Sequence, residues 1–272
     1  MDQVAKYLTG NTFKLYRASG LPFTDRLSKQ NRETISTELA KFLYQIYKQN
    51  ISTYEEDFVV RYNSCKDIHK EIRVISVSFD ETRYLIIKSK NNRLLPRQTL
   101  VFSRHDNNTI LLNRVTPNQD VNEFLLKMVQ RLTDSLYVEY VFSPQLIPLL
   151  INKLSPYFGN DIRLTYSIQQ TKLLNNIQIE VPYSDLKILR QSGQGLYTTI
   201  CQFMYNSSKI KFDKLKIKKL VSDVINIASD GMIGFNPIDD DDDDDNKNNN
   251  NEEIGLLGLI ENIHSALNEV ET

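Results

Sequence analysis

Groups able to act as metal ligands, nucleophiles or phosphate cradles are few in this sequence, and they are scattered. The three histidines, His69, His105 and His264, stand far apart along the chain and read as surface residues. Gly193-Gln194-Gly195 is a lone GxG between two expected helices. It follows no strand and lacks the Lys-Ser/Thr of a phosphate loop, so it reads as a linker. Cys65 and Cys201 share no CxxC spacing and carry no local catalytic signature, which suits a reducing compartment and two ordinary small side chains. Seven consecutive aspartates, residues 239 to 245, lack the glycine and the spaced ligands of a dedicated calcium loop. The expectation is a protein that is not an enzyme, with no catalytic residue, metal, cofactor or small-molecule substrate.

What the sequence does concentrate is lysine. Lys209 to Phe235 reads KIKFDKLKIKKLVSDVINIASDGMIGF, with six lysines in its first eleven residues. Ile210 and Phe212 alternate with Lys209 and Lys211, and Ile217 alternates with Lys216 and Lys218. A period of two puts apolar side chains on one strand face and ammonium groups on the other. Downstream, Asp230-Gly231 separates two apolar runs, which predicts a hairpin closed by a two-residue type I′ turn. The ribbon therefore offers an apolar side, a basic side and a backbone edge. Ile225, Ile227, Met232, Ile233 and Phe235 are the candidate partner-facing or core-facing residues. Lys211, Lys214, Lys216, Lys218 and Lys219 are the candidate contacts to a DNA backbone, without base reading. An ordinary half-buried strand pair with a solvated lysine face is the plainer alternative.

The charge balance points the same way. The formal net charge is −1, yet residues 1 to 238 hold 32 Lys and Arg against 22 Asp and Glu. The body is basic and the tail acidic, which suits an anionic partner such as DNA, RNA or an acidic protein. No basic-then-apolar segment opens the chain and no apolar run is long enough to span a membrane, so the expectation is a soluble cytosolic or nuclear protein.

The elements that must position these residues follow from periodicity. Phe13–Gly20 reads as a strand with Phe13 and Leu15 on one face. A helix spans 27–49, with Ile35, Leu39, Phe42 or Leu43, and Ile46 forming its buried stripe. Strands are expected at 54–62, 72–79, 84–87, 99–103 and 109–112. Asp120 is the expected cap of a helix running to about Thr133, Ser135–Phe142 reads as a strand, and Ser143-Pro144 opens another helix. Strands at 162–168 and 176–181, then helices at 183–190 and 196–205, lead into the ribbon. Residues 239 to 253 carry no apolar side chain and are expected to be disordered. Ile254, Leu257, Ile260, Ile263 and Leu267 then mark an amphipathic helix, with docking on its own domain as the default. The fold class is α+β, with mostly antiparallel sheets and helices packed on one face. Four regions result: 1–115, 116–236, the acidic insert 237–253, and the terminal helix 254–272.

Several segments, taken in order, resemble a known family. Phe13-Lys14-Leu15-Tyr16-Arg17-Ala18-Ser19-Gly20-Leu21, followed by Phe23 and a helix, is similar to the N-terminal signature of the centromere protein L family. Asn176–Pro182 with a helix carrying Leu186 and Leu189 resembles that family's mid-chain strand and helix. Lys209–Phe212, Lys219–Val221, Ala228–Gly231 and a leucine-rich terminal helix continue the likeness. The chain departs from it in having no tryptophan and in its Asp/Asn insert. The resemblance implies an elongated, curved body and a structural subunit of the inner kinetochore, located in the nucleus at the centromere. It implies a heterodimer with centromere protein N through the C-terminal sheet region, contact with other inner kinetochore subunits, and a role in chromosome segregation. The alternative is a single-strand DNA- or RNA-binding module on a basic, aromatic sheet. Phe212 falling on the face opposite Lys211 weighs against that alternative.

Overall fold

A computed structural model describes residues 7–50, 62–106, 108–168, 175–237 and 249–271. The chain is α+β, with seven helices among the described residues and one large open antiparallel sheet of 11 strands. The strands are β1 (Asn11–Ala18), β2 (Arg73–Phe79), β3 (Thr82–Lys88), β4 (Gln98–His105), β5 (Asn108–Arg114) and β6 (Tyr137–Glu139). After them come β7 (Ile162–Ser167), β8 (Asn176–Val181), β9 (Lys216–Val221), β10 (Ile225–Ala228) and β11 (Met232–Phe235). Their order across the sheet is β2-β3-β4-β5-β1-β11-β10-β9-β7-β8, with β6 pairing β1 off this path. The helices are α1 (Lys29–Gln49), α2 (Cys65–Glu71), α3 (Gln119–Thr133), α4 (Leu146–Leu154), α5 (Tyr183–Arg190), α6 (Leu196–Ser208) and α7 (Asn249–Glu271). Two compact units divide the chain: Tyr16–Val138, and Met1–Leu15 with Glu139–Thr272.

In the unit Tyr16–Val138 the meander β2 to β5 carries α1 and α3. Ser28 caps α1 by accepting from the Asn31 N–H at 3.0 Å, and Asn118 caps α3 by accepting from the Val121 N–H at 3.2 Å. Ile35, Leu39 and Leu43 of α1 join Leu125 and Met128 of α3 in one core with Leu85, Ile87, Leu100 and Phe102. Phe42 stacks on Phe124 with ring centroids 4.2 Å apart. This packing joins α3 to the meander, so the units divide at Val138, whereas the sequence suggested a division near residue 115. The strand expected at 54–62 lies almost wholly outside the described residues.

In the other unit, β11, β10, β9, β7 and β8 form the sheet with the first residues of β1. Residues facing each other across the pairings share a side. Phe13, Ile233, Ile227, Leu220 and Leu164 make a buried row. The terminal helix packs on its own unit, as expected. Leu259, Ile260, Ile263 and Leu267 of α7 are buried and α7 lies against α4. Lys153 of α4 donates to Ser265 at 3.0 Å and pairs with Glu269. Gly258 lets Tyr157 come close, since a Cβ there would stand 2.5 Å from the phenol oxygen. The helix begins at Asn249, five residues inside the expected disordered insert. Residues 238–248, and the side chains of Ile254 and Leu257, lie outside the described residues.

Two further expectations change. Ser135–Phe142 gives only the short β6, because Leu136, Val138 and Val141 are exposed and no second partner strand is at hand among the described residues. Helix α4 starts at Leu146, with Gln145 at its cap, two residues beyond Pro144. Pro148 then falls in the first turn, where its missing N–H costs little.

Candidate functional site

The ribbon does not present the free edge expected of it. β11 lies between β10 and β1, and β10 lies between β11 and β9. The missing neighbour comes from the other end of the chain: Asn11 pairs with Phe235, Phe13 with Ile233 and Lys14 with Met232. Ile225, Ile227, Ile233 and Phe235 are fully buried core, with Phe13 and Phe235 edge-to-face at 5.9 Å, and Met232 is half-buried on the opposite side. Of the two roles open to these five residues, core-facing is the one four of them take. The turn differs as well. Ala228 pairs with Met232 across a three-residue loop, and only Gly231 has positive φ, at 88°. A type I turn followed by a left-handed glycine satisfies the same Asp-Gly pair. A side chain at Gly231 would also meet the Tyr140 carbonyl oxygen at 2.8 Å.

The five candidate lysines are all exposed. They occupy two settings. Lys211 and Lys214 lie on the turn after α6, where Phe212–Lys214 forms a single 3-10 turn in place of the expected strand. Lys209 sits in the left-handed region at φ 60° and ends α6. Lys216, Lys218 and Lys219 belong to β9. There the register to β7 shifts between Thr165 and Tyr166: Lys219 faces Thr165 while Ile217 faces Tyr166. Lys218 is the extra residue of this bulge, which keeps Ile217 and Leu220, three apart, both buried. Lys211, Lys216, Lys218 and Lys219 carry no ion pair among the described residues. Lys214 stands 3.5 Å from Asp213.

A groove of about 360 Å³ opens beside Lys211 and Lys214, between α6 and the 3-10 turn. Tyr197, Cys201 and Tyr205 recur at a spacing of four, so they share one face of α6 and line it. Asn152 of α4 fixes the start of that helix. Its side-chain oxygen accepts from the Tyr197 N–H at 2.9 Å, and Gly195 leaves room for it, since a Cβ there would come within 2.8 Å. Behind the groove, Tyr166 of β7 is fully buried and edge-to-face with Phe212 at 5.1 Å. Burial, then the neighbouring Cys201 thiol, pushes the Tyr197 phenol well above its usual range. Burial does the same to Tyr166 and raises the Cys201 thiol. All three are therefore neutral at ordinary pH. A thiol held protonated is a poor nucleophile, so the groove can bind with hydrogen bonds, rings and cations but gains no activated thiolate. Sequence reasoning missed this groove. The available signal was Tyr-x3-Cys-x3-Tyr running directly into the lysine cluster.

The sheet's free border in this unit is β8. It pairs with β7 on one side, and among the described residues no strand pairs with its other side. Ile168 donates to the Asn175 carbonyl at 3.0 Å, which fixes the phase of the ladder. Hydrogen-bonded pairs then fall at Ile177, Ile179 and Val181, so Asn176, Gln178 and Glu180 aim their N–H and C=O groups outward.

The histidines divide. His69 lies 3.1 Å from Glu33 and His105 is half-exposed, whereas His264 is buried in α7 against the surface expectation. Among the described residues no three His, Cys, Asp or Glu side chains gather as a metal site, and no helix is long and apolar enough to cross a membrane. Compared with known proteins, the chain matches no family model and no curated protein.

Proposed function

We propose that this chain is a non-enzymatic assembly subunit of the inner kinetochore, of the centromere protein L type. It pairs with a centromere protein N-like subunit, contacts other inner kinetochore subunits, and lies against the DNA backbone at the centromere in the nucleus. The colinear motifs from Phe13 to the terminal helix motivate the family. The observation that carries the physical side is the open border of β8. Three outward N–H groups with alternating side chains suit an added partner strand, in which main-chain hydrogen bonds give affinity and alternate side chains give selectivity. This moves the partner-binding role from the ribbon to β8. Lys211, Lys214, Lys216, Lys218 and Lys219 then supply phosphate contacts from the same unit.

Size-exclusion chromatography of the chain with and without centromere protein N tests the reading. Co-elution is expected, and Gln178→Pro should abolish it while leaving the ladder to β7 intact, because the lost N–H points outward. A chain that stays monodisperse and indifferent to that partner would overturn the proposal.

A further inference from the structure

We propose that the groove between α6 and the Phe212–Lys214 turn takes one unpaired nucleotide of a DNA strand. Its base lies against the Tyr205 ring and its phosphate on Lys211 and Lys214. This rests on the reading of the lysines as DNA contacts and adds the structural state of the DNA they select. Three features meet in the groove. At about 360 Å³ it falls near the lower end of the range for ligand pockets, about 300–1,000 Å³, which suits one base with its phosphate. Tyr205 is 41% exposed, the Tyr197 phenol is neutral, and the Gln202 amide offers both a donor and an acceptor to a base edge. Two ammonium groups line it against the single carboxylate of Asp213, and the Lys209 ammonium stands 5.7 Å from the Tyr205 ring centroid.

Lys216, Lys218 and Lys219 of β9 follow the groove residues in sequence and are exposed on the side of the strand opposite the buried Ile217 and Leu220. A duplex keeps its bases stacked and cannot place one against Tyr205 without first unpairing it. Single strands and frayed ends therefore gain the ring contact that intact duplex lacks. The alternative sequence reading required exposed rings on the lysine side of a sheet, and that is not the arrangement in the groove. The rings come from a helix, and Phe212 is buried in the core from a 3-10 turn.

Fluorescence anisotropy of the full chain with labelled oligo-dT, and with a duplex of equal length, is the test. Oligo-dT should bind more tightly than duplex. Tyr205→Ala should weaken oligo-dT about tenfold and leave duplex unchanged. Lys214→Glu should weaken both and flatten the salt dependence. Both side chains are exposed, so neither change threatens folding. Equal binding of the two DNAs with a silent Tyr205→Ala would overturn the groove assignment while leaving co-elution with the partner subunit untouched. Tighter binding of oligo-rU than oligo-dT would overturn the assignment to DNA. Displacement of oligo-dT by free dTMP at matching concentration would overturn the strand and leave a mononucleotide pocket.

Discussion

The two units use their strands in opposite ways. In Tyr16–Val138, β3 and β4 are buried on both sides: Leu85 and Ile87 face α1 and α3, yet Tyr84, Ile86 and Val101 on the other side are fully buried as well. Their sequences read as near-continuous apolar runs. In the other unit β7, β8 and β9 alternate. Leu164, Ile179 and Leu220 are buried, while Arg163, Glu180 and Lys219 on the reverse side are open to solvent. A strand closed on both sides can only hold the molecule together. One closed on a single side keeps a surface on which charge can be placed freely, and the candidate site lies in the unit built that way.

The contrast is sharpest in neighbouring residues. Leu85→Ala and Ile86→Ala point to opposite sides of β3, and each should cost about 2–5 kcal/mol in denaturant unfolding. In β9, Leu220→Ala should cost a similar amount, while Lys219→Ala should stay within about 0.5 kcal/mol. A Lys219→Ala as costly as Leu220→Ala would erase the distinction between the units. A smaller effect is expected where α7 docks. Gly258→Ala should destabilise by about 1–3 kcal/mol, because the new methyl meets the Tyr157 phenol, and Tyr157→Phe should relieve much of that. The smallest effect concerns Tyr62, whose phenol donates to Glu71 at 2.8 Å in the Tyr16–Val138 unit. Burial above all pushes it from 10.0 up to about 12. The unfolded phenol ionises first, so this contribution is intact below pH 10 and disappears as pH climbs through 12. Tyr62→Phe should flatten the fall in thermal midpoint across that window.

Helices and strands with a clean period were legible in the sequence. The stripe Ile35, Leu39, Leu43 and the end of α3 at Thr133 fall where the spacing puts them, because a one-sided helix has a single way to bury its apolar face, but the N-cap of α3 is Asn118 rather than the expected Asp120. The alternation of β7 and β8 was equally plain. What stayed hidden depended on partners remote in sequence. Nothing in Ile225–Phe235 reveals that residues 11–14 will occupy its open side, so the ribbon's edge was misjudged. The bulge at Lys218 was hidden too, since Ile217 and Leu220 break the period of two only once β7 supplies the register. The groove escaped because it joins a helix face to a turn whose conformation the lysine alternation misrepresents: Lys209–Phe212 reads as a strand but ends a helix.

The stitching of β1 to β11 has a temporal side. Phe13 and Leu15 leave the ribosome well before one of the strands they line up with, which ends at Phe235, more than two hundred residues later. Until Phe235 has emerged, the first strand keeps a bare flank, and closing so long a loop is slow. A nascent chain in this condition is a natural client for chaperones that shield unpaired strands. Shortened transcripts that stop before residue 235 would leave residues 11–14 without their β11 partner, a flank prone to pair with its like.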